Sequence, residues 1–97
     1  MHGQIAQLIT LLDEAANLLL ELGHKKIPDS DYYTDDLGHF CSNMCQKILH
    51  NTIDQKEKKK LYNIFYPAHA WYAAIDDTSL GNMIYELVEE LYIDDAL

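Results

Sequence analysis

Apolar residues recur every three or four positions along most of this chain, the spacing that predicts amphipathic helices. The first such stretch predicts a helix from about Gln4 to Leu22. Gly23 is placed to end it, because glycine adopts the left-handed conformation of a C-terminal cap without strain. Pro28 follows, so a loop should come next. The apolar face of this helix comprises Ile5, Leu8, Ile9, Leu12, Ala15, Ala16, Leu19 and Leu20.

The middle of the chain predicts a second helix, which begins at Thr34 as N-cap and ends near His50 or Asn51. Asp35 and Asp36 occupy its first turn, where carboxylates complement the positive end of the helix dipole. Its buried stripe is predicted to be Leu37, Phe40, Cys41, Met44, Cys45 and Ile48.

A third helix is predicted after Asp54, a suitable N-cap, with apolar positions that come late in the segment. These are Leu61, Ile64 and Phe65. Pro67 interrupts the pattern, and a shorter helix from Ala68 to Ala74 is expected to follow, with Trp71 inside it.

The final helix is predicted from about Leu80 to Tyr92, after a capped turn at residues 76–79. Its inward-facing residues should be Leu80, Met83, Ile84, Leu87, Val88 and Leu91. The chain shows no strand alternation longer than four residues and no internal repeat, and its 97 residues suit one domain. We therefore expect an all-α fold, with residues 1–97 forming one compact antiparallel bundle of four to five helices.

The charge balance of the chain excludes more classes of binding partner than any other feature of its composition. The chain has 16 Asp and Glu against seven Lys, no Arg, and a formal net charge of −9. Nucleic acids and anionic membranes are bound through Lys and Arg, so neither is an expected partner. A strongly negative field favours encounter with a basic protein. Solubility alone is the other explanation of the charge.

The N-terminal stretch lacks the positive region of a signal peptide, and Asp13, Glu14 and Asn17 interrupt its apolar run. No run approaches the roughly 20 apolar residues of a membrane-spanning helix. We therefore expect a cytoplasmic protein whose two cysteines are reduced thiols.

Two patterns resemble metal sites but lack essential ligands. Cys41 and Cys45 lie one helical turn apart, yet the nearest further donors, His39 and His50, project towards a different side of the helix. The segment from residue 29 starts like a calcium loop, but Thr34 and Phe40 stand where that loop needs Gly and Glu. We expect no metal or other cofactor, and interpret the thiols as small buried residues.

No motif places a nucleophile beside a base, and none of the five histidines (His2, His24, His39, His50 and His69) lies in a catalytic motif. Only a site assembled from scattered residues would support catalysis. The sequence therefore predicts a binding protein with no catalytic residues.

Seven tyrosines suggest where a partner binds. Tyr85 and Tyr92 lie on the flank of the final helix beside Glu86 and Glu89, and tyrosines with carboxylates suit an interface. The alternative is that these tyrosines are half-buried and shield the edge of the core. The Asp76–Asp77 turn, immediately before the final helix, is expected to extend this surface. Another predicted surface is the loop at residues 29–36. The predicted partner-binding residues are Asp29, Asp31, Tyr32, Tyr33, Asp76, Asp77, Tyr85, Glu86, Glu89 and Tyr92.

Small size, helical content, high negative charge, no export signal and surplus tyrosine together resemble the cytoplasmic immunity proteins of bacterial toxin systems. These include contact-dependent inhibition and other polymorphic toxin systems, and the resemblance is one of profile over the whole chain. It implies an inhibitor that occludes one cognate basic toxin domain, such as a nuclease. The alternatives are a helical adaptor or regulatory subunit without inhibitory role, and an acidic DNA mimic that binds several basic proteins.

Overall fold

The structure is a computed structural model in which residues 3–97 are described. This range contains five helices and no strand: α1 (Gly3–Glu21), α2 (Thr34–Leu49), α3 (Gln55–Phe65), α4 (Ala70–Ala74) and α5 (Thr78–Ile93). The all-α prediction is confirmed. No helix within these residues is both long and apolar enough to cross a membrane.

Helices α1 and α2 form an antiparallel pair. Near one end Cys45 Sγ lies 3.4 Å from the carbonyl oxygen of Ile9, and near the other Gly38 faces Leu20. A Cβ on Gly38 would lie 2.8 Å from Leu20 Cγ, so glycine permits the two helices to approach closely here. The predicted stripes meet at this contact, and both thiols are buried.

Helices α3 and α5 form a second antiparallel pair, and α5 also packs on α1. Tyr62 contacts Tyr85, whereas Lys58, one turn earlier on α3, donates from Nζ to the main-chain oxygen of Leu97. The short helix α4 buries Trp71, whose Nε1 donates to the carbonyl of Asp77 at 2.9 Å. The largest fully buried side chains are Trp71, Phe65, Leu8, Leu12, Leu19, Ile27, Leu37, Met44, Leu61, Ile64, Ile84 and Leu91.

Several predicted boundaries and roles hold. Gly23 has a φ of +73° at the end of α1, as expected of its cap. Asp54 caps α3, since its carboxylate accepts a hydrogen bond from the amide of Glu57 at 2.8 Å and Glu57 Oε1 accepts from the amide of Asp54 at 3.0 Å. This reciprocal arrangement is a capping box, which satisfies two amides at the helix end.

The prediction that Thr34 caps α2 was wrong. Tyr33 takes the N-cap position without a side-chain bond, and Thr34 is the first helical residue and is buried. The Thr34 hydroxyl instead donates to the carbonyl of Gly23 and accepts from the amide of Lys25 at 3.2 Å. It is buried because it closes the loop that joins α1 to α2.

Two further predictions need correction. Ala68 has a φ of +67°, outside helical geometry, so the short helix begins at Ala70. Met83 is 41% exposed and does not face inward. The buried face of α5 is centred on Ile84 and Val88, and at about 100° per residue Met83 projects roughly 100–140° away from them.

Candidate protein-binding surface

The acidic loop, defined here as residues 27–33, is closed by hydrogen bonds of its backbone and of the Ser30 side chain. Its base is closed by a hydrogen bond from the amide of Ile27 to the carbonyl of Tyr32 at 2.9 Å, and the Ile27 side chain is buried in the core. Within the loop, the Ser30 hydroxyl donates to the carbonyl of Ile27 at 3.0 Å and accepts from the amide of Tyr32 at 3.1 Å. Asp29 and Asp31 are exposed at the tip of this hydrogen-bonded loop.

The two tyrosines of the acidic loop contact different neighbours. Tyr32 is half-buried against α3, where the Lys60 ammonium lies 5.2 Å from the centre of its ring. Tyr33 stacks on the His24 ring at 4.2 Å, and His24 Nδ1 lies 2.9 Å from Asp35 Oδ1. The hydrogen bond from His24 lowers the pKa of Asp35. Tyr32 and Tyr33 were predicted to belong to one binding surface, but their rings contact different parts of the molecule.

A cleft of about 750 Å³ separates the acidic loop from α3 and α4. Asp29, Asp31 and Tyr32 line one side, and Asn63 and His69 line the other. The structure thus places three of the predicted site residues around one opening.

On the other side of α3 lies the Tyr cluster, which comprises Tyr62, Tyr66 and Tyr85. Ring centres are 5.3–5.7 Å apart, and the hydroxyls of Tyr62 and Tyr85 lie 3.1 Å apart. The pKa of Tyr85 is raised, first by this hydrogen bond, then by burial and by the carboxylate of Glu89. Tyr85 is half-buried and connects α3 to α5, which corresponds to the shielding role.

Beside the Tyr cluster runs the α3/α5 groove, a cleft of about 420 Å³. Its lining residues are Lys59, Tyr62, Asn63, Glu89, Tyr92 and Ile93. Tyr92 is 46% exposed and Ile93 is 72% exposed, so the groove presents apolar area to solvent. A shallower cleft of about 300 Å³ adjoins it, where Ile93 lies among Glu86, Glu89, Glu90 and Asp94. The apolar residues are therefore bordered by carboxylates.

The structure relates the predicted surfaces to one another through α3. Asn63 lines both the cleft beside the acidic loop and the α3/α5 groove, so the two surfaces flank α3. The Asp76–Asp77 turn does not join them, because it lies at the opposite end of α5 from Tyr92. Asp77 is used as a cap, since its Oδ1 accepts from the amide of Leu80 at 3.0 Å.

Sequence reasoning missed four residues of the groove: Lys59, Tyr62, Asn63 and Ile93. Tyr62 had a detectable signal, because Tyr62 and Tyr66 lie one turn apart and each directly follows a buried stripe residue. Ile93 was missed because the final helix was predicted to end at Tyr92, one residue too early.

The described residues contain no group of three His, Cys, Asp or Glu side chains that could hold a metal ion. Cys41 and Cys45 are free, buried thiols, whereas His39 and His50 are exposed, as their helical positions predicted. His2 lies outside the described residues. Burial raises the pKa of Cys41 to about 12 and that of Cys45 to about 11, so both stay protonated at neutral pH.

Comparison of the chain with protein-family models, curated proteins and solved structures finds no match. The chemistry that the surface itself offers is apolar and aromatic area next to carboxylates. Such a surface suits the burial of an apolar side chain beside a Lys or Arg of another protein.

Proposed function

We propose that this chain is an inhibitor of the immunity type, which binds one basic protein and occludes it. The partner would be a toxin domain, such as a nuclease, and the complex would form in the cytoplasm. The observation that carries this proposal is the exposure of Tyr92 and Ile93 in a groove that Glu89 also lines, with Glu86 and Glu90 beside Ile93. Aromatic and apolar anchors with nearby charges are typical of the residues that dominate protein–protein binding energy.

The distribution of lysine supports a basic partner. The run of lysines in α3 resembles a basic patch in sequence, yet much of it is used within the molecule. Lys58 is buried against Leu97, and the Lys60 ammonium lies 4.3 Å from the centre of the Phe40 ring. Lys47 pairs with Glu57. Lys25, Lys26, Lys56 and Lys59 are exposed, but the seven lysines still leave a net charge of −9, and this negative field attracts cations.

The arrangement of carboxylates supports occlusion. Asp29 and Asp31 border the cleft on one side of α3. Glu89 borders the α3/α5 groove on the other side, and Glu86 borders the cleft that adjoins this groove. A basic nuclease binds the phosphates of its substrate through Lys and Arg. Carboxylates on both sides of α3 would occupy those same positive groups and exclude the substrate.

The test is binding to the product of the gene that neighbours this chain's own gene. We expect a 1:1 complex that weakens as salt is added, because its encounter is electrostatic. Glu89→Lys should weaken binding by about 2 kcal/mol, on the order of thirtyfold, measured by isothermal titration calorimetry. Glu14→Lys, an equal charge reversal at an exposed position of α1, is the matched control and should bind normally.

Folding must be checked in both variants. Glu14 is exposed, so its reversal should change the unfolding free energy by no more than about 0.5 kcal/mol, whereas Glu89 is half-buried beside Tyr85 and its reversal should cost more. Absence of any complex at low salt would contradict the proposal. Normal affinity in both Glu89→Lys and Tyr32→Ala would show that the interface lies elsewhere. Binding without inhibition would indicate an adaptor or regulatory subunit, and equal binding to several unrelated basic proteins would indicate a DNA mimic.

A further inference from the structure

We infer that the α3/α5 groove receives a short amphipathic helix of the partner, with aliphatic residues on its inner face and Lys or Arg along one edge. This inference rests on the proposed function, because it specifies which part of a basic partner enters the groove.

The groove and the adjoining Tyr cluster together match about two turns of helix. The groove lining spans Lys59 to Asn63 on α3 and Glu89 to Ile93 on α5, and the Tyr cluster extends these antiparallel walls to Tyr66, the residue after α3, and to Tyr85. At 1.5 Å per residue these walls are about 10–12 Å long. Two turns place the residues i, i+3 or i+4, and i+7 of a ligand helix on one face, which is how helices are recognised in grooves.

The groove offers side chains and no backbone. Residues 55–65 and 78–93 are helical, so their backbone groups are largely paired within each helix. Addition of a β-strand requires unpaired backbone groups at a sheet edge, and residues 3–97 form no strand. A helix pairs its own backbone and presents side chains only, so it suits a groove that offers side chains alone.

Charge sets which edge of the ligand helix is basic. Glu86, Glu89 and Glu90 border the α5 side, whereas Lys59 stands on the α3 side. Ligand cations should therefore lie over α5 and its aliphatic residues over Tyr92 and Ile93. A second copy of this chain does not fit, because its own net charge of −9 would be repelled.

Two synthetic peptides of roughly 14 residues, long enough to populate a helix, test the inference. The first places Leu at i, i+3 and i+7 with Lys along one edge. The second has the same composition with Leu and Lys mixed around the helix. We expect the first to bind at least about tenfold more tightly by fluorescence anisotropy. Amide chemical-shift changes should centre on Asn63, Tyr92 and Ile93.

Ile93→Ser should weaken binding of the first peptide by about fivefold or more. Met83→Ser is the matched control, because Met83 is an exposed apolar residue of the same helix that does not line the groove, and it should have no effect. Equal binding of both peptides, shift changes centred elsewhere, or no binding of either peptide would overturn the inference.

The inference and the proposed function fail in different ways. If the neighbouring gene's product binds wild type and Ile93→Ser equally but loses affinity for Glu89→Lys, the groove inference is overturned and the proposed function stands. If the first peptide binds in the groove and the neighbouring gene's product forms no complex, the groove does bind an amphipathic basic helix. The toxin-inhibitor proposal is then overturned.

Discussion

The contact between Gly81 and Trp71 shows how a single residue limits the packing of α4 on α5. A Cβ on Gly81 would lie 2.4 Å from Trp71 Cδ1 and 2.6 Å from its Nε1. Trp71 is fully buried, and its Nε1 is held by the carbonyl of Asp77. The indole therefore has little room to move.

We expect Gly81→Ala to lower the unfolding free energy by about 1–3 kcal/mol, the usual cost of overpacking. Alanine's better helix propensity, worth about 1 kcal/mol, should offset only part of this cost. Urea denaturation followed by circular dichroism measures the change. Gly3→Ala is the control, because nothing lies within 4 Å of its Cβ position. Equal stability of Gly81→Ala and wild type would contradict the packing described.

Four acidic groups, Cys41, Cys45, Tyr72 and Tyr85, have raised pKa values, so the stability of the fold should depend on pH in the alkaline range. The pKa of Cys41 is raised to about 12 and that of Cys45 to about 11, mainly by burial, and the pKa of Tyr85 is also raised. Their ordinary values are 9.0 for Cys and 10.0 for Tyr. The folded state therefore holds these protons more tightly than the unfolded state, and deprotonation favours unfolding.

The stabilisation should be complete below pH 9 and should be lost as pH rises through 11 and 12. Urea midpoints measured from pH 7 to pH 11 should fall above pH 9. Tyr85→Phe keeps the ring without the ionisable hydroxyl and should make the fall shallower. Tyr92→Phe, which removes a hydroxyl from an exposed side chain, is the control. A flat profile in wild type would contradict the burial of these groups.

At the scale of elements, the start of α3 depends on one capping box that is also joined to α2. Glu57 Oε1 accepts from the amide of Asp54, while Glu57 Oε2 pairs with Lys47 near the end of α2. The hydrogen bond to Glu57 raises the pKa of Lys47. The Glu57 side chain therefore helps to cap the start of α3 and also connects α3 to α2.

Asp54→Ala should lower the unfolding free energy by about 1 kcal/mol, because an amide of α3 loses its acceptor. Glu57→Gln keeps an acceptor for the amide of Asp54 and removes only the charge opposite Lys47. Its cost should be smaller, since pairs with an exposed partner contribute about 0–1 kcal/mol. Thermal and urea unfolding measure both variants. A larger loss in Glu57→Gln than in Asp54→Ala would mean that the ion pair, not the cap, holds this end of α3.

At the scale of the whole molecule, charge repulsion opposes folding. Residues 61–97 carry seven acidic residues and no Lys or Arg, and the chain's net charge is −9. A net charge far from zero destabilises a compact state through self-repulsion. The same charge that would attract a basic partner therefore reduces the stability of the free protein.

We expect the unfolding free energy to rise by on the order of 1 kcal/mol when NaCl is raised from about 10 mM to about 500 mM, because the screening length falls from about 30 Å to a few ångströms. Urea denaturation at each salt concentration measures the gain. Glu90→Lys reduces the net charge at an exposed position and should reduce the gain. A loss of stability with salt would show that attractive ion pairs outweigh the repulsion.

The sequence by itself determined the helices and most of their buried faces. Helical periodicity and caps are local, since they depend on residues three or four positions apart, so the stripe of α1, the glycine cap at Gly23 and the cap at Asp54 were all predictable. The acidic surface of α5 was indicated for the same reason, because Glu86, Glu89 and Tyr92 recur at helical spacing.

Only the tertiary structure decided which residues on the flanks of the helices are buried, exposed or joined. Tyr62 and Tyr85 are 23 positions apart, and their contact exists only because α3 packs antiparallel to α5. Thr34 is buried, and its hydroxyl donates to the carbonyl of Gly23, which lies 11 positions earlier in the chain. A pattern of residues three or four positions apart does not predict this hydrogen bond. Met83 is exposed because it lies outside the face of α5 that the neighbouring helices cover. A flank residue's environment depends on the neighbouring helix, and helix spacing alone does not specify that neighbour.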